Sequence, residues 1–157
     1  MKQVTWKGYA LWIIFVEAVG ALSGWLTREG VRAYQATVRQ PELAPPGVVF
    51  PVVWVMLFAL MGVGAARVYA APASRARTRG LGLFFVQLAF NFVWSILFFN
   101  LQAFGLALLW LIALWGLILG MICAFWPVDR WAAGVQLPYL LWVTFAGYLN
   151  WGVWVLN

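Results

Sequence analysis

The chain has 157 residues, of which 66% are hydrophobic and only 9% are charged, and its mean hydropathy is +0.91. So few charges cannot cover the surface of a water-soluble domain of this size, so the composition predicts an integral membrane protein built as one compact bundle. The net charge of +6 comes from basic residues scattered at segment ends, which indicates orientation in a membrane and excludes a nucleic-acid partner.

Several kinds of chemical site are also excluded. The chain has no histidine, the commonest general base and metal ligand, so neither a metal site nor a catalytic residue is predicted. Its single cysteine, Cys123, cannot form an internal disulfide and is predicted to be a packed thiol within an apolar run. No phosphate-binding loop is recognisable, and no cofactor is expected.

Five segments are long and apolar enough to cross a bilayer core of about 30 Å as helices. The predicted fold is therefore an all-α integral membrane bundle in a single domain, 1–157, with helices at about 8–26, 48–70, 81–99, 103–126 and 131–156. The third and fourth helices share an uncharged run from Leu81 to Val128, which would extend about 72 Å as one helix. The polar stretch Asn100–Gln102 is the predicted break between them.

The first helix carries an acidic residue, Glu17, near its middle. A charge there is costly in lipid, so Glu17 is expected to be protonated, paired or directed at a polar cavity. Gly20 and Gly24 share its face and have the GxxxG spacing, as do Gly116 and Gly120. This spacing permits close helix approach, either inside the bundle or across a homodimer.

The longest predicted connection, 27–47, follows the first helix and ends in two prolines. Val31, Tyr34 and Val38 recur at helical spacing, so part of this loop is predicted to form a short amphipathic helix on the bundle. Five crossings place seven of the ten basic residues on the N-terminal side. In a cytoplasmic membrane, the positive-inside rule then predicts that the N-terminus lies inside.

Three of the helices each carry a face rich in aromatic side chains. The residues of these three faces are Trp54, Phe58 and Met61 on the second helix, Gln87, Asn91, Trp94 and Phe98 on the third, and Tyr139, Trp142, Ala146 and Asn150 on the fifth. If the faces converge, they line a cavity suited to a flat, mostly apolar ligand with a few polar edges. Carboxamides in membrane helices also join neighbouring helices, at about 1 kcal/mol each, and aromatic residues often only pack. The pattern leaves both interpretations open.

Three stretches are distinctive when read in order: PELAPPGVVFPVVWVMLF, QLAFNFVWSILFF and LPYLLWVTFAGYLN. Together they resemble the TspO/MBR family of tryptophan-rich sensory and translocator proteins, over nearly the whole chain. The resemblance implies a five-helix bundle in the lipid bilayer, often a homodimer, with a pocket beneath the first loop. It also implies binding of porphyrin-type tetrapyrroles such as protoporphyrin IX, or another flat hydrophobic molecule, as a ligand and not as a cofactor.

The resemblance assigns ligand binding to Trp54, Asn91, Trp142 and Ala146, and it leaves Gln87 as an interhelix contact. With the other members of the aromatic faces, the predicted ligand site also includes Phe58, Trp94, Tyr139 and Asn150. The lid of the pocket is predicted to include Leu43, Pro45 and Pro46.

The chain departs from the family pattern in two places. The family usually has tryptophan two residues after the first proline of the loop motif, whereas here Pro41 is followed by Glu42 and Leu43, so one aromatic wall of the lid is missing. Near the C-terminus, LNWGVWVLN lacks the tyrosine and basic residue of the mitochondrial sterol motif, so cholesterol is not the predicted ligand.

The predicted function is that of a membrane receptor or sensor for porphyrin-type tetrapyrroles, with transport as a further role. One alternative is light-dependent degradation of the bound porphyrin, in which Trp54 and Trp142 would act as redox-capable indoles. The other is a structural or interaction subunit without a small ligand, in which the polar residues only join helices.

Overall fold

The computed structural model describes residues 3–157, and within this range it is entirely helical. The elements are α1 (Trp6–Thr37), α2 (Val49–Ala70), α3 (Arg75–Ser95) with a π-helical turn (Ile96–Asn100), α4 (Phe104–Phe125), α5 (Arg130–Gly134) and α6 (Leu137–Leu156). Five helical stretches are long and apolar enough to cross a membrane, with α5 and α6 forming the last of them. The predicted all-α membrane bundle is therefore confirmed. Residues 1–2, including the Lys2 counted on the N-terminal side, lie outside the described part.

The first helix is longer than the sequence predicted. Residues 27–47 were predicted as a loop, but α1 continues to Thr37, so the connection to α2 is only 38–48. No proline occurs before Pro41 to stop the helix. At 32 residues α1 extends about 48 Å, which exceeds the thickness of a bilayer core.

Side-chain contacts stabilise the last turns of α1. Glu29 pairs with Arg32 along the helix, with an N–O distance of 3.0 Å. Tyr34 packs on Phe98 and Phe99 of the π turn, with ring centroids 5.3 and 5.4 Å apart. The predicted amphipathic helix therefore exists as a continuation of α1 and not as a separate element.

The break between the third and fourth spans lies where the sequence predicted it, at Asn100–Gln102. The π turn ends at Asn100, and Gln102 has a positive φ of 47°, which ends the helical path. The Nδ2 group of Asn100 donates a hydrogen bond to the carbonyl of Leu26 at 3.1 Å. The break is thereby attached to α1.

The last span is divided, which the sequence analysis did not predict. The short helix α5 ends at Gly134, and α6 begins at Leu137 with Pro138 in its first turn. Proline favours this position because its missing N–H has no helical partner there. The division places Gln136, which is fully buried, at the junction.

The core of the bundle is visible in the spacing of buried residues along α4. They are Ala107, Leu111, Leu114, Ile118, Met121, Ile122 and Phe125. This stripe faces the other helices, and the period of 3.6 residues places Cys123 outside it. Cys123 is exposed, so the prediction of a packed thiol was wrong.

The two glycines of the first GxxxG motif have different surroundings. A Cβ atom on Gly20 would collide with the ring of Phe58, so the missing side chain lets α1 and α2 approach closely. Gly24 has no neighbour within 4 Å of such an atom. Of these two glycines, Gly20 is therefore the one that packs against a neighbouring helix.

Glu17 lies half-buried on α1. In the described part of the chain, the ion pairs are formed by Glu29 and Asp129, and Glu17 takes part in none of them. Of the three states expected for Glu17, namely protonated, paired or directed at a polar cavity, pairing is therefore not provided by residues 3–157.

An ion pair holds α1, α2 and α5 together at one end of the bundle. Arg67 Nε donates to Asp129 Oδ2 at 2.7 Å, and the Asp129 side chain is only 4% exposed. The other oxygen of Asp129 accepts the backbone N–H of Ala132 at 3.0 Å and so caps α5. The guanidinium of Arg67 also lies 4.9 Å from the ring centroid of Trp131 and donates to the Tyr9 hydroxyl at 3.5 Å.

Candidate functional site

Aromatic side chains form a column along the inner face of α2. The rings of Trp54 and Phe58 stack, with centroids 5.4 Å apart and an interplanar angle of 30°. Trp54 also meets the edge of Tyr139 at 6.2 Å, and Phe50 meets Trp142 at 5.9 Å. The structure therefore brings the predicted faces of α2 and α6 together.

A hydrogen-bonded relay joins α2, α3 and α6 in the core. Asn91 Nδ2 donates to the Tyr139 hydroxyl at 2.8 Å, and that hydroxyl donates to Gln87 Oε1 at 2.7 Å. Gln87 Nε2 then donates to the sulfur of Met61 at 3.7 Å. Both carboxamides of α3 therefore bind the same tyrosine. Asn91 as well as Gln87 forms a hydrogen bond between helices.

A second polar contact joins the ends of α3, α4 and α6. The indole N–H of Trp94 donates to Asn150 Oδ1 at 3.1 Å, and Asn150 Nδ2 donates to the carbonyl of Phe104 at 2.8 Å. Asn150 is 1% exposed. The polar groups of Trp94 and Asn150 therefore form hydrogen bonds between helices. This is one of the two roles that the sequence left open for them.

A small cleft lies between α1, α2 and α3, with about 150 Å³ of empty space that includes its open mouth. Its lining is Val19, Gly20, Ser23, Phe58, Leu88, Asn91 and Phe92. Two of the predicted ligand residues, Phe58 and Asn91, are among them. The lining is mostly apolar with a few polar groups, as is usual for a site that receives a flat ligand.

The carboxamide oxygen of Asn91 has no protein partner at this cleft. Asn91 Nδ2 is bound to Tyr139, whereas Asn91 Oδ1 accepts no hydrogen bond from residues 3–157. Asn91 Oδ1 is not among the fully enclosed side-chain atoms of this range that lack a hydrogen-bond partner. The oxygen therefore retains some exposure. The cleft therefore presents a carboxamide oxygen to any molecule that enters.

The remaining predicted residues lie outside the cleft lining. Trp142 is half-buried beside Phe50, and Ala146 is 8% exposed one turn further along α6. In the predicted lid, Leu43 is 68% exposed and Pro46 is exposed, whereas Pro45 is half-buried. The first half of this loop is fixed to α6, because the Arg39 backbone exchanges two hydrogen bonds with the Asn157 side chain at 3.0 and 2.8 Å.

Comparison with known proteins identifies the family. The model of the TspO/MBR family matches residues 12–155 of the chain. The chain belongs to the TspO/MBR family. This confirms the resemblance seen in the three sequence stretches.

Relatives within the TspO/MBR family come from different kinds of organism. Protein CrtK of Rhodobacter capsulatus is 39% identical over 80% of this chain and 79% of its own length. Tryptophan-rich protein TspO of Chlorobaculum tepidum is 36% identical over 94% of both chains. Translocator protein of Bos taurus is 35% identical over 88% of this chain and 83% of its own. These TspO/MBR proteins are similar to the chain along most of its length.

Sequence reasoning missed four contributors to the cleft of this TspO/MBR protein, namely Val19, Ser23, Leu88 and Phe92, and it assigned Gly20 to helix packing alone. The spacing of Gly20 and Ser23 on one face of α1 was the available signal, because a small and a polar residue together mark a helix face that approaches its neighbours. The Arg67–Asp129 pair was also missed. Its signal was an acidic residue placed just before the last span at a strongly basic end of the bundle.

Replacing Gly20 by alanine is expected to displace the Phe58 ring and with it the stacked Trp54. Overpacking of this kind typically costs about 1–3 kcal/mol. We therefore expect the free energy of unfolding in detergent to fall by about 1–3 kcal/mol, measured by thermal or denaturant titration. Gly24→Ala is the matched control on the same helix, and equal effects of the two variants would contradict this account of Gly20.

Proposed function

We propose that the protein is a membrane receptor or sensor for porphyrin-type tetrapyrroles, oriented with its N-terminus in the cytoplasm and active as a homodimer in a bacterial cytoplasmic membrane. The observation that carries this proposal is the cleft whose lining includes both Phe58, stacked on Trp54, and Asn91, whose oxygen has no partner within residues 3–157. A flat, apolar ring system with polar edges matches such a lining. Membership of the TspO/MBR family supports the same ligand class.

Binding of a porphyrin requires the cleft to widen. As it stands the cleft is too narrow to admit even a water molecule, far from the range of about 300–1,000 Å³ that is usual for sites of small molecules. Phe58 is the obvious side chain to move, because it separates the cleft from Trp54. Loop 38–48, in which Leu43 is 68% exposed, leads directly into the helix that carries the aromatic column.

The test is titration of the purified protein with protoporphyrin IX, followed by quenching of tryptophan fluorescence. We expect saturable quenching, and we expect Asn91→Ala and Trp142→Ala each to weaken binding about tenfold, which is about 1.4 kcal/mol. Trp151→Ala is the matched control, because Trp151 lies on the outer face of the same helix and is 52% exposed. Absence of saturable quenching, or unchanged binding by the first two variants, would contradict the proposal.

A second candidate is a structural or interaction subunit without a small ligand. It is favoured by the way in which the conspicuous polar groups are bonded to protein, with Gln87 and Asn91 meeting at Tyr139, and Asn150 joining Trp94 to α4. Under this function, Asn91→Ala lowers the free energy of unfolding while protoporphyrin quenches wild type and variant equally and without saturation.

A further inference from the structure

The direction of the hydrogen bonds in the core relay is set by one sulfur atom. A thioether accepts hydrogen bonds and has no proton to donate, so the carboxamide atom of Gln87 that faces Met61 must be the nitrogen. The oxygen of Gln87 then faces Tyr139. The tyrosine hydroxyl has a single proton and gives it to that oxygen, at 2.7 Å.

The same reasoning fixes the orientation of the Asn91 carboxamide at the cleft. Since the Tyr139 proton is committed to Gln87, the hydroxyl can only accept from Asn91, and the atom of Asn91 that it contacts must be the nitrogen. The Asn91 oxygen is therefore the carboxamide atom left without a partner at the cleft. If the relay ran the other way, the tyrosine would donate to Asn91 and the free group would be an N–H donor.

We propose that Met61, Gln87 and Tyr139 are positioning residues that make the cleft an acceptor site, so that it selects flat apolar ligands with an N–H donor at the edge that meets Asn91. The inference rests on the proposed function in one respect, namely that the cleft between α1, α2 and α3 receives a ligand. Within the tetrapyrroles it favours molecules with an accessible N–H, such as open-chain forms, over those that present an oxygen acceptor there. Ser23, the other polar residue of the lining, does not oppose this preference because a hydroxyl both donates and accepts.

A buried acceptor that meets another acceptor loses a hydrogen bond without replacement, and this is the physical source of the selectivity. Two rigid tricyclic compounds differ in this group alone: carbazole has an N–H where dibenzofuran has an oxygen. Their shape and apolar area are nearly the same, so the apolar lining contributes almost equally to both. The difference in affinity therefore reports on the hydrogen-bonding character of the cleft.

The experiment measures binding of carbazole and of dibenzofuran to the full-length protein by equilibrium dialysis in matched detergent, with Asn91→Leu as the blank for binding elsewhere. We expect wild type to bind carbazole about tenfold more tightly than dibenzofuran. Met61→Leu conserves volume but removes the sulfur that orients Gln87, so it is expected to reduce this ratio to about two. Met56→Leu is the matched control on α2, because Met56 is 62% exposed and is expected to keep the wild-type ratio.

Tyr139→Phe provides a second variant that interrupts the relay at its centre and leaves Asn91 free to turn. It is also expected to abolish the preference. Equal binding of the two compounds by wild type, binding of neither, or an unchanged ratio in both Met61→Leu and Tyr139→Phe would overturn the inference.

Titration of the same preparations with protoporphyrin IX separates this result from the proposed function. Saturable porphyrin binding without carbazole selectivity would overturn the inference alone. Selectivity for carbazole without porphyrin binding would overturn the tetrapyrrole proposal and support the inference that the cleft accepts hydrogen bonds.

Discussion

Asp129→Ala is expected to lower the free energy of unfolding by about 3 kcal/mol. The substitution removes the carboxylate that accepts the Arg67 guanidinium at 2.7 Å, and a hydrogen bond between charged groups contributes about 2 kcal/mol in a partly buried setting. It also removes the cap that satisfies the Ala132 N–H, at a cost of about 1 kcal/mol. Because Arg67 is 27% exposed, water compensates part of its lost partner, and we do not expect the larger penalty of a fully buried charge.

Two further variants separate the two contributions of this carboxylate. Asp129→Asn keeps an oxygen that can cap α5 but removes the negative charge, so we expect a loss of about 2 kcal/mol. Glu29→Gln is the matched control, because its pairs with Arg28 and Arg32 are exposed and such pairs contribute little. The measurement is reversible unfolding in mixed micelles, and an effect of Glu29→Gln as large as that of Asp129→Asn would contradict the role assigned to burial.

Gly62→Ala is expected to separate α1 from α2 and to cost about 3 kcal/mol. An added Cβ atom would lie 2.7 Å from the Cα of Ile13, 2.9 Å from its nitrogen and 3.0 Å from the carbonyl carbon of Trp12. These are backbone atoms of the neighbouring helix, so no side-chain rotation relieves the clash and the helices must move apart. Overpacking that cannot relax lies at the upper end of the usual range of about 1–3 kcal/mol.

This substitution is expected to affect the cleft as well as stability, since Gly20 of the cleft lies two turns from Ile13 on α1. The readouts are unfolding in micelles and protoporphyrin quenching on the same sample. Gly82→Ala provides the control, because a Cβ atom there meets nothing within 4 Å on the outer face of α3. If Gly62→Ala unfolds like Gly82→Ala, then the contact between α1 and α2 tolerates more separation than the structure indicates.

The spans were predictable because their signal is local. Runs of apolar residues of the right length report crossings directly, and the polar Asn100 and Gln102 within such a run reported the break. The end of α1 was not predictable in this way. Its last turns have ordinary helix-forming residues, and they are held by contacts of Tyr34 with a π turn more than sixty residues away.

The candidate site was predictable as a set of faces but not as a set of bonds. Helical periodicity placed Gln87 and Asn91 on one face, and the structure confirms that both point to the core. That a single tyrosine hydroxyl joins them, and that Met61 orients the chain of bonds, depends on the rotation and depth of three helices relative to one another. Neither the rotation nor the depth of a helix can be inferred from the spacing of residues along any one helix.

The π turn at Ile96–Asn100 is a place where the third span can change in length by one residue. A π turn accommodates one residue more than an α-helix would, and each residue of an α-helix turns the chain by about 100°. Deleting one residue there would return the turn to α-helix with little change in the direction of Asn100, which bonds the Leu26 carbonyl. Insertions are tolerated far better in the exposed second half of loop 38–48. Insertions between related sequences are therefore expected in that loop, and deletions of a single residue are expected at the turn.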